Sequence, residues 1–183
     1  MNKSFSKFSS LVFALVISFN SFSQITPPSQ ITPSNFTSKL IGLGVVVSDL
    51  EKSLDFYING IGMVKAYSFK INSEFSKRSG LANGDSAAVT VLKLENSPEA
   101  NEWKLMSFAK KATHTKQNFI QDDTGVQYIT INVKALKPII ERLKQRSIPF
   151  LGSSPTPLNR NSQLLLVQDP DGTFIELIGP MGE

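Results

Sequence analysis

The sequence contains no cysteine and a single histidine, His114, in 183 residues. Without cysteine the chain can form no disulfide, offer no thiolate to a metal ion and use no cysteine as a nucleophile. Neither a glycine-rich phosphate loop, nor a nucleophile-elbow serine, nor a histidine-based triad can be written from these residues. His114 lies in a polar segment, and these surroundings favour its interpretation as a solvated loop residue.

Strong charge of one sign is also missing. The formal net charge is +4, and it falls to +2 if residues 1–23 are removed, because that segment carries Lys3 and Lys7 and no acidic residue. No run of basic residues is interleaved with aromatic ones. The composition therefore gives no support to nucleic acid as a partner.

A hydrophobic run long enough to span a bilayer is missing as well. Residues 11–19 are apolar, but a membrane-spanning helix needs about 20 such residues. The run follows two lysines and is succeeded by Ser21 and Ser23, which is typical of a signal peptide cleaved after Ser23. We therefore expect a signal peptide at 1–23, a flexible leader at 24–39 and a soluble protein exported to the periplasm or secreted, without stable membrane insertion. The alternative is an uncleaved anchor.

Strand and helix patterns follow one another in the same order twice. Each half is predicted to begin with a strand and a helix and to continue with three strands. In the first half the strands are at 40–47, 63–69, 87–94 and 103–108, with a helix after Ser48, whose spacing to Glu51 suits a capping box. In the second half they are at 126–133, 148–151, 163–167 and 174–178, with a helix at 136–146. Polar segments at 70–85 and 109–124 are predicted to be loops.

The two predicted helices carry matching apolar stripes. Leu136, Ile140 and Leu143 each follow their counterparts by 86 residues, and those counterparts are Leu50, Leu54 and Tyr57. A constant offset indicates a duplicated unit. The sequence thus predicts one α+β domain at residues 40–180, made of two βαβββ modules at 40–109 and 125–180.

Two motifs resemble those of a known family. Residues 164–180 read LLLVQDPDGTFIELIGP, two strands joined by a tight turn, and residues 45–57 read VVVSDLEKSLDFY. Together they resemble the last strands and the first strand and helix of the vicinal oxygen chelate superfamily, which includes glyoxalases, bleomycin resistance proteins and extradiol dioxygenases. The resemblance implies a curved, half-open barrel of mixed β-sheet with helices outside and a pocket between the modules.

The resemblance also implies where a metal ion would bind. In metal-dependent members four residues, on the first and last strands of each module, converge on one divalent ion. The corresponding positions here are Gly42, Lys104, Tyr128 and Glu176, of which only Glu176 is a ligand of the expected kind. No cofactor is therefore expected, and a divalent metal would bind only if the site has been misaligned.

The same positions suggest a ligand site. If they converge, Lys104 lies opposite Glu176 and beside Tyr128, either as an ion pair without chemistry or as a cluster that grips a ligand. Thr130 and Asn132 share the strand face of Tyr128, so these five residues are the candidate ligand-binding set. No catalytic residue is assigned.

The favoured function is an exported small-molecule binder with a degenerate metal site. One alternative is a glyoxalase-like lyase, epimerase or dioxygenase, and another is an interaction module with a vestigial pocket. The sequence does not decide whether two copies of the chain form a homodimer.

Overall fold

The computed structural model describes residues 35–182. The chain divides into two compact units, Met1–Thr37 and Ser38–Glu183, and all helices and strands of the described residues lie in the second. None of these helices is long and apolar enough to cross a membrane. The predicted signal peptide at 1–23 and most of the predicted leader lie outside the described residues.

The strands form two separate four-stranded sheets. In the first sheet the spatial order is β1-β4-β3-β2, and in the second it is β5-β8-β7-β6. The first-sheet strands are β1 (Gly42–Val46), β2 (Val64–Ile71), β3 (Ala87–Lys93) and β4 (Glu102–Phe108). The second-sheet strands are β5 (Tyr128–Asn132), β6 (Thr156–Pro157), β7 (Gln163–Gln168) and β8 (Phe174–Gly179). In each sheet the first strand of the module pairs in parallel with its last strand, and all other pairs are antiparallel.

Three α-helices accompany the sheets. Helix α1 (Leu50–Leu54) continues directly as a π-helical segment (Asp55–Ile61), and the segment ends at Gly62, whose φ of 104° is left-handed. Helix α2 (Ser73–Ser79) connects β2 to β3, and helix α3 (Lys137–Gln145) follows β5. The predicted α+β fold of two βαβββ modules is confirmed, with sheets that do not close on each other.

One hydrophobic core serves both modules. It joins residues of both sheets to residues of α1, the π-helical segment and α3. Sheet 1 contributes Trp103 and Leu105, and sheet 2 contributes Ile131, Ile175 and Leu177. Because successive strand residues point to opposite faces, each sheet turns one face toward this core and its other face away from it.

The helical segments of the two modules contact each other directly. The Arg142 side chain of α3 donates from Nε to the Gly60 carbonyl at 3.0 Å and from Nη2 to the Ile61 carbonyl at 2.8 Å. These carbonyls end the π-helical segment, where backbone acceptors lack partners within the helix. Arg146 also reaches Asp55 at 3.3 Å. The modules are therefore joined directly through their helical segments.

The sequence-based assignments differ from the structure at three places. Helix α1 is capped by Asp49, whose carboxylate accepts from the Lys52 amide, and not by Ser48, whose amide donates to Asp171. The predicted loop at 70–85 contains α2, which is capped by Asn72. The predicted strand at 148–151 is absent from the described residues, and the short strand β6 forms later, at Thr156–Pro157.

Candidate functional site

The face of the first sheet that points away from the core carries two of the four metal positions of the family resemblance. Parallel pairing of β1 with β4 sets Gly42 beside Glu102 and Gly44 beside Lys104. Residues paired in this way share a face, so Gly42 and Lys104 lie together on what we call the first open face.

Lys104 on the first open face forms an ion pair with Glu102. Its Nζ lies 3.1 Å from the Glu102 Oε2, and the hydroxyl of Tyr67 donates to the Glu102 Oε1 at 2.8 Å. The hydrogen bond from Tyr67, followed by that from Lys104, lowers the pKa of Glu102, and the same Tyr67–Glu102 contact raises the pKa of Tyr67. Glu102 is thus an ionised acceptor for both neighbours.

Gly42 leaves room for the Lys104 ammonium. A Cβ atom at position 42 would lie 2.9 Å from the Lys104 Nζ and 3.1 Å from its Cε, so the flexible end of the lysine would have to shift. The ammonium therefore occupies space that a side chain at position 42 would need. The glycine and the lysine fit each other, and a histidine, glutamine or glutamate at position 42 would displace the lysine.

The second sheet carries the other two metal positions on its own open face. Pairing of β5 with β8 sets Thr130 beside Glu176, and the Thr130 hydroxyl donates to the Glu176 Oε2 at 2.6 Å. Tyr128 and Asn132 lie on the same face of β5, and the Tyr128 side chain is 47% exposed. We call this surface the second open face.

An apolar cleft adjoins Glu176 on the second open face. Its volume is about 390 Å³, and it lies between the sheet residues Leu164, Leu166 and Phe174 and the connecting segment that includes Phe119. Leu166 pairs directly with Glu176 across β7 and β8. A carboxylate with a hydroxyl partner therefore lies beside a cleft large enough for a small molecule.

The two open faces do not face each other within one chain. Their neighbours Leu105 and Ile175 both belong to the shared core, so the alternate side chains of Lys104 and Glu176 point away from that core on different sheets. Among the ion pairs of residues 35–182, none joins Lys104 to Glu176. Within one chain, the described residues therefore do not bring Lys104 and Glu176 together as the resemblance implies.

The candidate residues fall into two groups. Lys104 lies on the first open face, whereas Tyr128, Thr130, Asn132 and Glu176 lie on the second. Sequence reasoning missed Glu102 and Tyr67. Glu102 could have been found, because it lies two residues before Lys104 on the same strand face.

Within one chain, the four positions offer few donors to a divalent metal ion. Within the described residues no group of three or more histidine, cysteine, aspartate or glutamate side chains converges in a way that could hold one. Of the four positions, Gly42 has no side chain, and the ammonium of Lys104 repels a cation. Glu176 alone offers a carboxylate, whereas metal sites of this kind use three or four protein donors.

Solved structures show the same fold. A glyoxalase family protein from Bacillus cereus has a TM-score of 0.65 and 15% identity over 83% of this chain and 99% of its own. The trypanothione-dependent glyoxalase I of Leishmania major has a TM-score of 0.55 and 19% identity, with 78% of this chain and 87% of that one covered. A fosfomycin resistance protein from Listeria monocytogenes has a TM-score of 0.53 and 14% identity, with 79% of this chain and 95% of that one covered.

Sequence comparison identifies the family. No curated protein sequence matches the chain significantly. The family model of the glyoxalase/bleomycin resistance protein/dioxygenase superfamily matches residues 39–177, which is nearly the whole of the second unit. The chain therefore belongs to the glyoxalase/bleomycin resistance protein/dioxygenase superfamily.

Proposed function

We propose that this protein is an exported, small-molecule-binding member of the superfamily whose metal site is degenerate. The observation that carries the proposal is the fit between Gly42 and Lys104. A paired ammonium stands where the family places metal ligands, with its Nζ 3.1 Å from Glu102. An ammonium held in this way occupies the place of a metal ligand, and it keeps further N–H donors for a ligand.

The second open face supplies the ligand contacts. Thr130 and Glu176 form a polar pair at the edge of the cleft of about 390 Å³, whose sheet wall is Leu166 and Phe174. A ligand with an apolar body and a polar group suits this combination, because the cleft would take the body and the pair would orient the polar group. Tyr128 and Asn132 offer further hydrogen-bonding groups on that face.

A second copy of the chain would complete the site. Large exposed hydrophobic side chains lie on both open faces, namely Val46, Tyr67, Phe69 and Tyr128, each between 42% and 47% exposed. Clustered exposed apolar residues mark interaction surfaces. In a homodimer the first open face of one copy could cover the second open face of the other, which would bring Lys104 opposite Glu176 of the partner.

Ligand binding is tested by thermal shift. Bleomycin, fosfomycin and a library of small aromatic amides, alcohols and acids serve as probes, because a compound at 100 times its Kd raises the free energy of unfolding by about 2.7 kcal/mol. Glu176→Gln and Thr130→Val should weaken any hit, while the exposed Glu95→Gln serves as the control. Hits that both site variants bind as well as the wild type would overturn the assignment to the second open face.

Metal content and assembly are tested separately. Elemental analysis that finds stoichiometric Zn, Mn, Fe or Ni in the native protein would overturn the degenerate metal site. Light scattering should give a dimer, and Phe69→Asp on the first open face should convert it to a monomer. Phe75→Asp is the matched control, because Phe75 is similarly exposed at 48% but lies on α2.

Export rests on the sequence of residues 1–23. Mass spectrometry of protein recovered from the cell exterior or periplasm should show a chain that begins at Gln24. Recovery of a chain that still begins at Met1 would contradict cleavage and favour the anchor alternative.

A further inference from the structure

A second cleft lies at the edge of β1, next to the first open face. It is enclosed by β1, by residues 112–114 of the connecting segment and by the turn between β7 and β8. Its volume is about 320 Å³, which is within the range of small-molecule sites. The open faces use the side chains of alternate β1 residues, whereas this cleft is bounded by the strand's unpaired edge.

Backbone groups of β1 face this cleft. The Val47 amide donates to the Met106 carbonyl of β4 at 2.9 Å, so the amide and carbonyl of Val47 point toward β4. Successive residues of a strand direct these groups to opposite edges. The Val46 carbonyl and the Ser48 amide therefore point to the free edge, and the Ser48 amide does reach Asp171 there.

Asp171 supplies the charge of the cleft. Both of its carboxylate oxygens accept from the Ser48 amide, at 3.2 and 3.1 Å, and no ion pair of the described residues includes it. The cleft lining described contains no lysine or arginine. A carboxylate that lacks a cationic partner favours a positively charged ligand.

The remaining walls are largely apolar. Leu43, Val45, Trp103 and Val126 line the cleft, and the sole histidine, His114, lies at the turn, with its Nδ1 3.9 Å from where a Cβ on Gly172 would be. His114 is thus exposed, as the sequence suggests, but it borders a cleft. A primary ammonium has three N–H donors, which the Val46 carbonyl and the Asp171 carboxylate can accept. The apolar wall suits an apolar body attached to that ammonium.

We propose that this cleft binds small apolar amines, with the primary ammonium between the Asp171 carboxylate and the Val46 carbonyl and the apolar body against Leu43, Trp103 and Val126. This site shares Gly44 and Val46 with the first open face but no residue with the second, so the ligand of the proposed function can fail to appear without affecting it. It requires no metal ion and no second copy of the chain.

Phenethylamine is a suitable probe. Titration into the purified protein should give saturable shifts of the backbone amide signals of Gly44, Val46 and Ser48 in NMR spectra. Phenethyl alcohol, which lacks the charge, and the trimethylammonium analogue, which lacks the N–H donors, should each bind at least about tenfold more weakly. Equal binding of either compound, or no saturation by phenethylamine at millimolar concentration, would overturn the proposal.

Variants locate the charge. Asp171→Asn keeps an oxygen acceptor for the Ser48 amide but removes the charge, and we expect phenethylamine binding to weaken by about tenfold or more. Asp85→Asn, at an exposed loop residue outside the cleft, should change nothing. Val126→Trp changes a side chain that is 75% exposed and should obstruct the cleft while Asp171 stays intact. Undiminished binding by folded Asp171→Asn or by Val126→Trp would assign the amine to another place.

Discussion

The hydroxyl of Tyr57 donates a hydrogen bond of 2.7 Å to the carboxylate of Asp169, which lies 112 positions further along the chain. The Tyr57 side chain is completely buried, and Asp169 is only 5% exposed. Asp169 also accepts from the backbone amides of Asp171 and Thr173. One buried contact therefore joins the helical segment of the first module to the turn between the last two strands of the second.

Tyr57→Phe should lower the free energy of unfolding by about 1–3 kcal/mol, because it removes a donor from a buried carboxylate while keeping the ring. Urea unfolding measures this. Tyr128→Phe removes a hydroxyl from an exposed ring and should stay within about 0.5 kcal/mol of the wild type. A Tyr57→Phe protein as stable as Tyr128→Phe would show that the contact contributes little.

Asp169 should make the protein less stable as the pH rises. Burial raises the pKa of Asp169, although hydrogen bonds from Tyr57 and from the Thr173 and Asp171 amides act in the opposite direction. The folded state therefore holds this proton more tightly than the unfolded state, in which the pKa is about 3.9. Between that value and the raised folded value the folded state binds more protons, so the free energy of unfolding falls as the pH increases.

Asp169→Asn removes this titration and isolates its effect. The free energy of unfolding of the wild type minus that of Asp169→Asn should decrease as the pH rises above about 4, and it should level off once the pH exceeds the folded pKa of Asp169. Urea melts at several pH values give the difference. A difference that grows with pH would mean that hydrogen bonding, and not burial, controls the carboxyl group.

Lys104 should couple to Glu102 and not to Glu176. The Lys104 and Glu102 side chains are 34% and 25% exposed, so Lys104→Met should cost at most about 1 kcal/mol, as is usual for ion pairs that water reaches. Combined with Glu176→Gln, the effects should add within about 0.5 kcal/mol, because the two side chains lie on different faces. Combined with Glu102→Gln, the effects should not add.

Denaturant melts of the single and double variants give both coupling energies. These melts should be made at a protein concentration where light scattering finds monomers, since the proposed dimer would bring Lys104 near the partner's Glu176. Strong coupling between Lys104 and Glu176 in the monomer would contradict the placement of their two open faces away from the shared core.

Arg142→Met should destabilise the contact between the modules. Two carbonyls at the end of the π-helical segment, those of Gly60 and Ile61, would lose a charged donor, and we expect a cost of about 1–3 kcal/mol in urea unfolding. Arg78→Met is the control, because Arg78 is 73% exposed and pairs only loosely with Glu74, at 3.8 Å. Equal effects of the two substitutions would contradict a specific role for Arg142.

The sequence predicts the strands well where they are apolar and β-branched. The expected strands at 87–94 and 103–108 agree within one residue with β3 (Ala87–Lys93) and β4 (Glu102–Phe108). The sequence does not predict helix α2, because Ser73–Ser79 contains only one large apolar residue, Phe75, and the Phe75 side chain is exposed. A helix without an apolar stripe gives no periodic signal.

The candidate site is predictable within each sheet but not between them. Strand pairing brings Gly42 to Lys104 and Thr130 to Glu176, as alternation along the strands predicts. Whether the two sheets turn these faces toward or away from each other depends on packing between distant helices. That packing rests on side chains such as Arg142, whose partners lie more than 80 positions away, so local sequence patterns do not reveal it.

The close approach of Gly42 and Lys104 couples two positions that lie on different strands. A side chain acquired at position 42 would push the lysine from its place beside Glu102, since even a Cβ would lie 2.9 Å from the ammonium. Because the ammonium is the far end of a flexible side chain, Lys104 can yield to a new residue 42 by changing its rotamer, but it then leaves Glu102. A substitution at position 42 on β1 is therefore felt first in the ion pair of β4 and not in the packing of β1 itself.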